Sequence, residues 1–277
     1  METAGKTVMA YFPGCSLHGA ANDFATSIKV LMDALDIELR EIEDWCCCGA
    51  SSAHKVSAKA AQGLVTVNID SAQNMGLDTI FAPCAACYNR LRVVADETHS
   101  PVKVVNLPDL IAANIDKILA KQTRKLDMKI GCYYGCLLNK PAAVFKEDCE
   151  NPMTMENSLK ALGMTSVDWP FKTECCGASF SLAAVNVVHK LSGDILKDSL
   201  KRGAEIIVTS CPLCHVNLDM RQAEIRKLNR DMGGIPVLYL SELIALCMGV
   251  PAKELKLGAH FVAMPGKFEE KFSICHA

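Results

Sequence analysis

Fifteen of the 277 residues are cysteine, and ten of them fall into two sets of five with the same order and similar spacing. The first set is Cys15, Cys47, Cys48, Cys84 and Cys87; the second is Cys136, Cys175, Cys176, Cys211 and Cys214. Each contains a single cysteine after a glycine, then an adjacent pair, then a Cys-x-x-Cys. The pair sits in the same five residues, Cys-Cys-Gly-Ala-Ser, at 47–51 and again 128 positions later at 175–179. The Cys-x-x-Cys begins 36 positions after Cys48 in the first set and 35 after Cys176 in the second. Thiolates are ligands for zinc and for iron–sulfur clusters. A structural zinc site takes four ligands, and so does a conventional four-iron cubane. Five thiols per set exceed both needs, and a fifth thiolate suits an extra coordination position on iron. The closely spaced run of an ordinary ferredoxin is absent. Neighbouring residues of a strand point to opposite faces, so both members of a Cys-Cys pair reach one site only from an irregular segment. The glycine that follows permits such a turn.

Composition narrows the setting. Half the residues are apolar, 22% are charged and the formal charge is −2. That is a folded globular chain with no electrostatic case for nucleic acid or an anionic membrane as partner. The apolar run before Cys15 is broken early by Pro13 and Gly14, without a cleavage pattern. Val237–Val250 is interrupted by Ser241 and Glu242 and is too short for a membrane span. The expected compartment is the cytoplasm, where patterned cysteines are metal ligands or reactive thiols rather than disulfides.

The elements that must bring these cysteines together follow from a duplication. Val104-Val105-Asn106-Leu107-Pro108-Asp109-Leu110-Ile111 is matched by Val237-Leu238-Tyr239-Leu240-Ser241-Glu242-Leu243-Ile244, as the cysteines are matched. The charged stretch Lys121–Lys129 marks the boundary, giving units 1–125 and 126–277. Apolar patterning predicts strands at Thr7–Tyr11, Glu38–Ile42, Thr79–Ala82 and Lys103–Leu107, with helices at Asn22–Leu35, Ser52–Met75, after Cys87, and at Asp109–Leu119. Gly76 is the expected stop of the long helix. In the second unit the strands are Lys129–Tyr133, Glu205–Thr209 and Val237–Leu240, and the helices Thr154–Leu162, Ser181–Arg202 and Val216–Leu228. The fold class is therefore α/β, two tandem parallel Rossmann-like units with right-handed crossovers. Every cysteine segment then follows a strand and precedes a helix. Such points gather at the carboxyl ends of parallel strands, beside helix N-termini that favour thiolate. No glycine-rich nucleotide fingerprint is present, so electrons are expected from a partner.

These residues resemble the CCG domain, twice over, and nearly the whole chain resembles the B subunits of the CoB–CoM heterodisulfide reductases. The likeness extends to Tyr134-Gly135-Cys136-Leu137-Leu138-Asn139-Lys140-Pro141, to Cys211-Pro212-Leu213-Cys214-His215 and to His260-Phe261-Val262. The resemblance implies two noncubane [4Fe-4S] clusters, each held by one five-cysteine set. They would face a common disulfide and cleave it by one electron each, with CoM-S-S-CoB as type substrate. It also implies two partners in a heterodisulfide reductase complex, one a ferredoxin-like protein that carries cubane clusters and the other a flavin-containing protein. CCG units occur as well in proteins similar to subunits of lactate oxidation, glycerol-3-phosphate dehydrogenase, succinate:quinone reductase and sulfur oxidation. A zinc-stabilised scaffold is the non-redox alternative, and would leave one cysteine per unit without a role.

Several residues have two readings. Cys46 extends the first pair to a triple. Cys132 competes with Cys136, although Gly135-Cys136 matches Gly14-Cys15 better. Cys149, Cys247 and Cys275 lack repeat partners and read as buried apolar residues or a tail thiol. His18 and His215 either hydrogen-bond locally or supply protons to a departing thiolate. Lys55, Arg90 and Lys140 read as solvated surface or as attractors of an anionic substrate. Trp45 and Trp169 precede the cysteine pairs and are expected to pack beneath the clusters as an apolar shell.

Overall fold

Two four-stranded sheets, each entirely parallel, carry the cysteines. A computed structural model describes residues 6–50, 53–145 and 148–274; the Lys55 side chain and Cys275 lie outside the described residues. The first half runs β1 (Thr7–Tyr11), α1 (Gly14–Leu17), α2 (Asn22–Ala34), β2 (Ile37–Glu41), α3 (Ala53–Val56), α4 (Ala58–Asn74), β3 (Thr79–Phe81), α5 (Ala85–Glu97), β4 (Lys103–Val105), α6 (Leu107–Ala113) and α7 (Ile115–Lys121). The second runs β5 (Lys129–Tyr133), α8 (Thr154–Ala161), β6 (Thr165–Ser166), α9 (Val185–Lys201), β7 (Ile206–Thr209), α10 (Pro212–Leu218), α11 (Gln222–Leu228), β8 (Val237–Tyr239), α12 (Leu240–Cys247) and α13 (Gly266–Phe272).

The strand orders are β2-β1-β3-β4 and β6-β5-β7-β8, the same winding in each half. The direction of winding reverses between β1 and β3, and between β5 and β7. In open parallel sheets the crevice at that reversal is the ligand site. Cys15 and Cys84 follow β1 and β3; Cys136 and Cys211 follow β5 and β7. In the second sheet all four residues of the inner strand β7 and all three of the edge strand β8 are buried, as a sheet covered on both faces requires.

Helices depart from the sequence reading at polar interruptions. The expected helix 52–75 is two, because the Ser57 hydroxyl accepts the Ala60 N–H at 3.2 Å and starts α4 afresh. An N-capping side chain outcompetes continuation there. Gly76 closes α4 as expected, with its N–H bonded to Gln73 O and that of Leu77 to Ala72 O, a Schellman pair. Asn106 caps α6 through Asp109 N, and Asn114 divides the expected 109–119 helix into α6 and α7. The helix expected at 181–202 begins at Val185, after a 3-10 turn at Ala178–Phe180. That expected at 216–228 is α10 plus α11, and α10 starts at Pro212, directly behind Cys211. Likewise α5 starts at Ala85, so each Cys-x-x-Cys straddles a helix N-terminus. The two-residue strand β6 had too little sequence for a pattern.

The halves share one apolar core. Helix α2 packs on α12 and α6 on α8, a reciprocal arrangement in which each half offers equivalent surfaces. Phe24 stacks on Tyr239 at 4.2 Å, and the Ser27 and Ser241 hydroxyls meet at 2.7 Å in the buried seam. Each fully buried large side chain there contributes roughly 1.5–3 kcal/mol.

Candidate metal centre

The five cysteines of each set come together, and then the two sets meet. In the first half Cys15 contacts Cys47, Cys47 contacts Cys48, and the Cys48 and Cys87 sulfurs lie 3.4 Å apart. Cys87 contacts Cys84. In the second half Cys136 contacts Cys175, Cys176 lies 3.5 Å from Cys214, and Cys214 contacts Cys211. Cys84 and Cys211 lie close enough across the seam to shift each other's thiol. Eight thiols thus form one string whose centre is the junction of the halves, with the Cys136–Cys175 pair adjoining it where Cys175 precedes Cys176. Cys15, Cys47 and Cys175 are exposed and Cys136 half-buried, whereas Cys48, Cys84, Cys87, Cys176, Cys211 and Cys214 are buried.

Local sequence explains the approach. Gly14 has φ +65°, and a Cβ there would stand 2.7 Å from the Cys87 sulfur; Gly135 also has φ +65°, and its Cβ would stand 3.2 Å from the Cys214 sulfur. Only glycine lets the strand-end loop fold this close to the opposing thiol. After each pair, a left-handed glycine turns the chain so that its own N–H points back at a sulfur: Gly49 N to Cys47 Sγ at 3.5 Å, Gly177 N to Cys175 Sγ at 3.3 Å. Sulfur accepting N–H bonds is stabilised as thiolate.

The thiols divide into donors and acceptors of charge. The Cys48 thiol is lowered to about 7, first by Cys87, against burial. Cys175 is lowered to about 6, first by Cys136 and then, after the opposing effect of burial, by the Gly177 and Ala178 N–H groups. Cys87 and Cys136 are correspondingly raised by those same partners. Across the seam Cys84 is held well below the ordinary thiol range, first by Cys211. Cys211 is pulled down by Cys214 but pushed up more by Cys84 and burial, to about 12.

Four buried polar atoms beside the string have no hydrogen-bond partner among the described residues: Arg90 Nε, Asn139 Nδ2, Thr209 Oγ1 and Ser210 Oγ. Arg90 and Asn139 each follow a site cysteine by three residues, and Thr209 and Ser210 immediately precede Cys211. Buried donors are normally satisfied, and the sulfurs of an iron–sulfur cluster accept such bonds. Five gathered thiols with orphaned donors around them fit an iron–sulfur group in each half.

The other cysteines lie elsewhere. Cys132 is inside β5, in register with Val208, and burial pushes its thiol well up. Cys46 turns to Leu64 O at 3.2 Å, while Asn68 clasps its backbone N–H and carbonyl. Cys247 is buried against Met164, and Cys149 is half-buried beside Glu150. Lys140 is half exposed and 3.9 Å from Glu150.

His18 is held by Glu41 at 2.8 Å and stacks on Trp45, whose indole also donates to Glu41. Trp45 is half-buried against Phe12. Trp169 is wholly buried beside Tyr133 and donates to Cys132 O at 3.0 Å. His215 contacts Val237 O and His260 Nδ1, each at 3.0 Å, and His260 Nε2 meets Glu242 at 3.1 Å. The His215, Asp219 and His260 ligand atoms lie within 4.8 Å of one another. The Asp219 carboxylate already accepts Phe261 N and Val262 N, so this cluster latches the segment after α12 onto α10.

Sequence reasoning missed that latch, because its members are far apart in the chain. It also missed a second support. Tyr134 N and Gly135 N both donate to Lys172 O, while Lys172 Nζ reaches Glu156 at 2.9 Å in the interior. A lysine and a glutamate within an apolar context were the available signal.

Such a site defines a two-unit α/β protein with a cysteine-lined centre at each switch point. Comparison with known proteins names the class. The CCG cysteine-rich domain family matches residues 9–92 and 130–219, and the chain belongs to that family. It is 32% identical over 274 residues to the 8-methylmenaquinol:fumarate reductase membrane anchor subunit of Wolinella succinogenes, covering 91% of this chain and 96% of that one. It is 26% identical over 279 residues to the B subunit of a ferredoxin/F(420)H(2)-dependent CoB-CoM heterodisulfide reductase of Methanosarcina acetivorans, covering 89% and 91%. A solved Helicobacter pylori protein shares the fold, with TM-score 0.72 at 13% identity; the chain spans 54% of its length. The relatives support an iron–sulfur redox subunit of heterodisulfide-reductase-like complexes. No described helix is long and apolar enough to cross a membrane.

Proposed function

We propose that the chain holds two noncubane [4Fe-4S] clusters, one in each five-cysteine set, and reduces a disulfide to two thiols. The observation that carries this reading is the Cys84–Cys211 contact, which joins two equivalent thiol sets at a single locus. A disulfide needs two electrons, and two one-electron centres at one place suit it. When bound, such clusters supply electrons singly, at potentials tuned by charge and hydrogen bonding.

The chain's own residues shape the locus. Gly14 and Gly135 admit the strand-end loops to the buried thiols, and the Gly177 N–H helps hold negative charge on Cys175, whereas at Cys47 burial outweighs the Gly49 N–H and raises the thiol. The buried Cys-x-x-Cys pairs keep water from the inner side, leaving the face with Cys15, Cys47 and Cys175 open to a substrate. Electrons come from a ferredoxin-like partner, and from a flavin-containing partner behind it, in the cytoplasm.

A second reading is favoured by the greater identity to the Wolinella protein. There the paired clusters would pass electrons between a quinol and a dicarboxylate-reducing partner, with no disulfide involved.

Iron, acid-labile sulfide and zinc are measured per chain on anaerobically purified protein. About eight irons with matching sulfide supports two four-iron clusters. Zinc with little iron refutes the redox reading and favours a scaffold. Stopped-flow reoxidation of the reduced protein by CoM-S-S-CoB and other low-molecular-weight disulfides, against menaquinone analogues, separates the two redox readings. Oxidation by quinone alone overturns disulfide reduction.

A further inference from the structure

We propose that Arg90 makes the two sites electrostatically unequal, setting a cluster in the first half at a higher reduction potential than its counterpart in the second. The inference rests on the two-cluster reading above.

The two halves repeat each other closely, so a charge present in one and absent from the other stands out. Arg90 follows Cys87 by three residues on α5; the equivalent position, three after Cys214 on α10, is Asn217. Residues three apart on a helix share a face, so both side chains lie on the cysteine side of their helices. Arg90 is half-buried, and its Nε is sealed from solvent without a partner among the described residues. Its positive charge reaches the site, where it helps lower the Cys48 thiol.

Asn217 is wholly buried and neutral. Its amide donates to Cys176 O at 3.3 Å and lies 3.7 Å from the Cys176 sulfur. Arg221 stands behind it: its Nε donates to Asn217 Oδ1 at 3.2 Å and its terminal nitrogen to Ser181 O at 3.0 Å, and it lies 3.9 Å from Glu224. On the same side Glu174 acts on Cys175 in the opposite sense, raising its thiol. The first site therefore faces a cation with an unmet donor, and the second faces an amide with an anion nearby.

Reduction adds negative charge to a cluster that is already anionic through its thiolates. A nearby cation favours the reduced form and raises the potential; an N–H bond to sulfur such as that of Asn217 to Cys176 does so too, but a neutral amide counts for less than the full charge of Arg90. Partial burial strengthens the effect relative to water. The first half is then reduced before the second.

The test is an anaerobic redox titration of the purified holoprotein, followed by electron paramagnetic resonance. Two one-electron waves are expected in the wild type. Arg90→Gln should lower only the upper wave, by tenfold or more in the reduction equilibrium, about 59 mV for one electron. Arg90→Lys, which keeps the charge, should restore most of the separation. Cys176→Ala, which disables the second site, should retain the upper wave and lose the lower one. The inference is overturned if Arg90→Gln leaves the upper wave in place at full iron content, or if Cys176→Ala retains the lower wave. Should Arg90→Gln fail to load iron, the Cys176→Ala result decides the ordering alone. Wild-type protein with fewer than two clusters by iron and sulfide overturns the two-cluster reading itself, a result distinct from two intact waves insensitive to Arg90.

Discussion

Replacing Glu156 by alanine removes the counter-charge of a lysine that has no solvent to turn to. The Lys172 and Glu156 side chains are 4% and 6% exposed and 2.9 Å apart. Lys172 Nζ also donates to Pro152 O at 2.6 Å, and the second Glu156 oxygen accepts the Tyr134 hydroxyl at 2.5 Å. Breaking a buried pair by deleting one partner typically costs about 3–5 kcal/mol. The Tyr134 hydroxyl still accepts Met155 N but loses its own acceptor, and an orphaned buried donor costs about 1–3 kcal/mol. The terms overlap, so we expect a loss of about 3–5 kcal/mol for E156A, against a total of about 5–15 kcal/mol for a folded domain. E156Q, which keeps one acceptor oxygen for Lys172 but puts an amide nitrogen where the Tyr134 hydroxyl had its acceptor, should lose less. The double variant E156A/K172M should recover more than half, because removing both charges is far less harmful than stranding one. The assay is anaerobic urea unfolding followed by tryptophan fluorescence, with Trp169 buried in the affected half. Lys172 O anchors the Gly135–Cys136 loop, so E156A should also lower bound iron from about eight towards about four. A loss below about 1 kcal/mol, or a double variant no better than E156A, would show that the pair is not a buried charge pair in solution.

The remaining expectations concern the thiols and their neighbours. Cys176→Ala should halve the iron content and abolish turnover, whereas Cys132→Ala and Cys149→Ala should leave iron unchanged; full iron in Cys176→Ala would contradict the ligand assignment. Gly14→Ala places a Cβ 2.7 Å from the Cys87 sulfur, while Gly76→Ala, at φ +72°, meets nothing within 4 Å. The second should cost only the left-handed backbone penalty of about 1–2 kcal/mol, and the first should in addition empty the first site, as read by iron analysis. Burial pushes the Cys247 thiol up to about 12, with Leu126 and Lys271 acting weakly the other way. The folded chain therefore keeps a proton that the unfolded chain releases near pH 9, so stability falls as pH rises from about 9 towards about 12. By pH 10 this group should account for about 1.4 kcal/mol, a loss that urea titrations should show to be missing in Cys247→Val.

The cysteine order, the repeated Cys-Cys-Gly-Ala-Ser and the strand–helix alternation were enough to read two α/β units and to nominate ten thiols, because these are local patterns that a chain carries wherever it folds. Helix limits were less legible: a capping serine at 57 and an asparagine at 114 interrupt apolar periodicity in ways that only the competing hydrogen bonds reveal. The match of Gly135-Cys136 to Gly14-Cys15 pointed to Cys136 over Cys132, and in the fold Cys132 is buried inside β5 while Cys136 meets Cys175. Two features lay beyond sequence reading. The contrast between Arg90 and Asn217 acquires meaning only when α5 and α10 are seen to present equivalent faces to equivalent sites. The meeting of Cys84 with Cys211 depends on α2 packing against α12 and α6 against α8. Motifs are written in neighbouring residues, but the distance between two motifs is set by how the halves bury their shared surface, and that is decided only when the whole chain is packed.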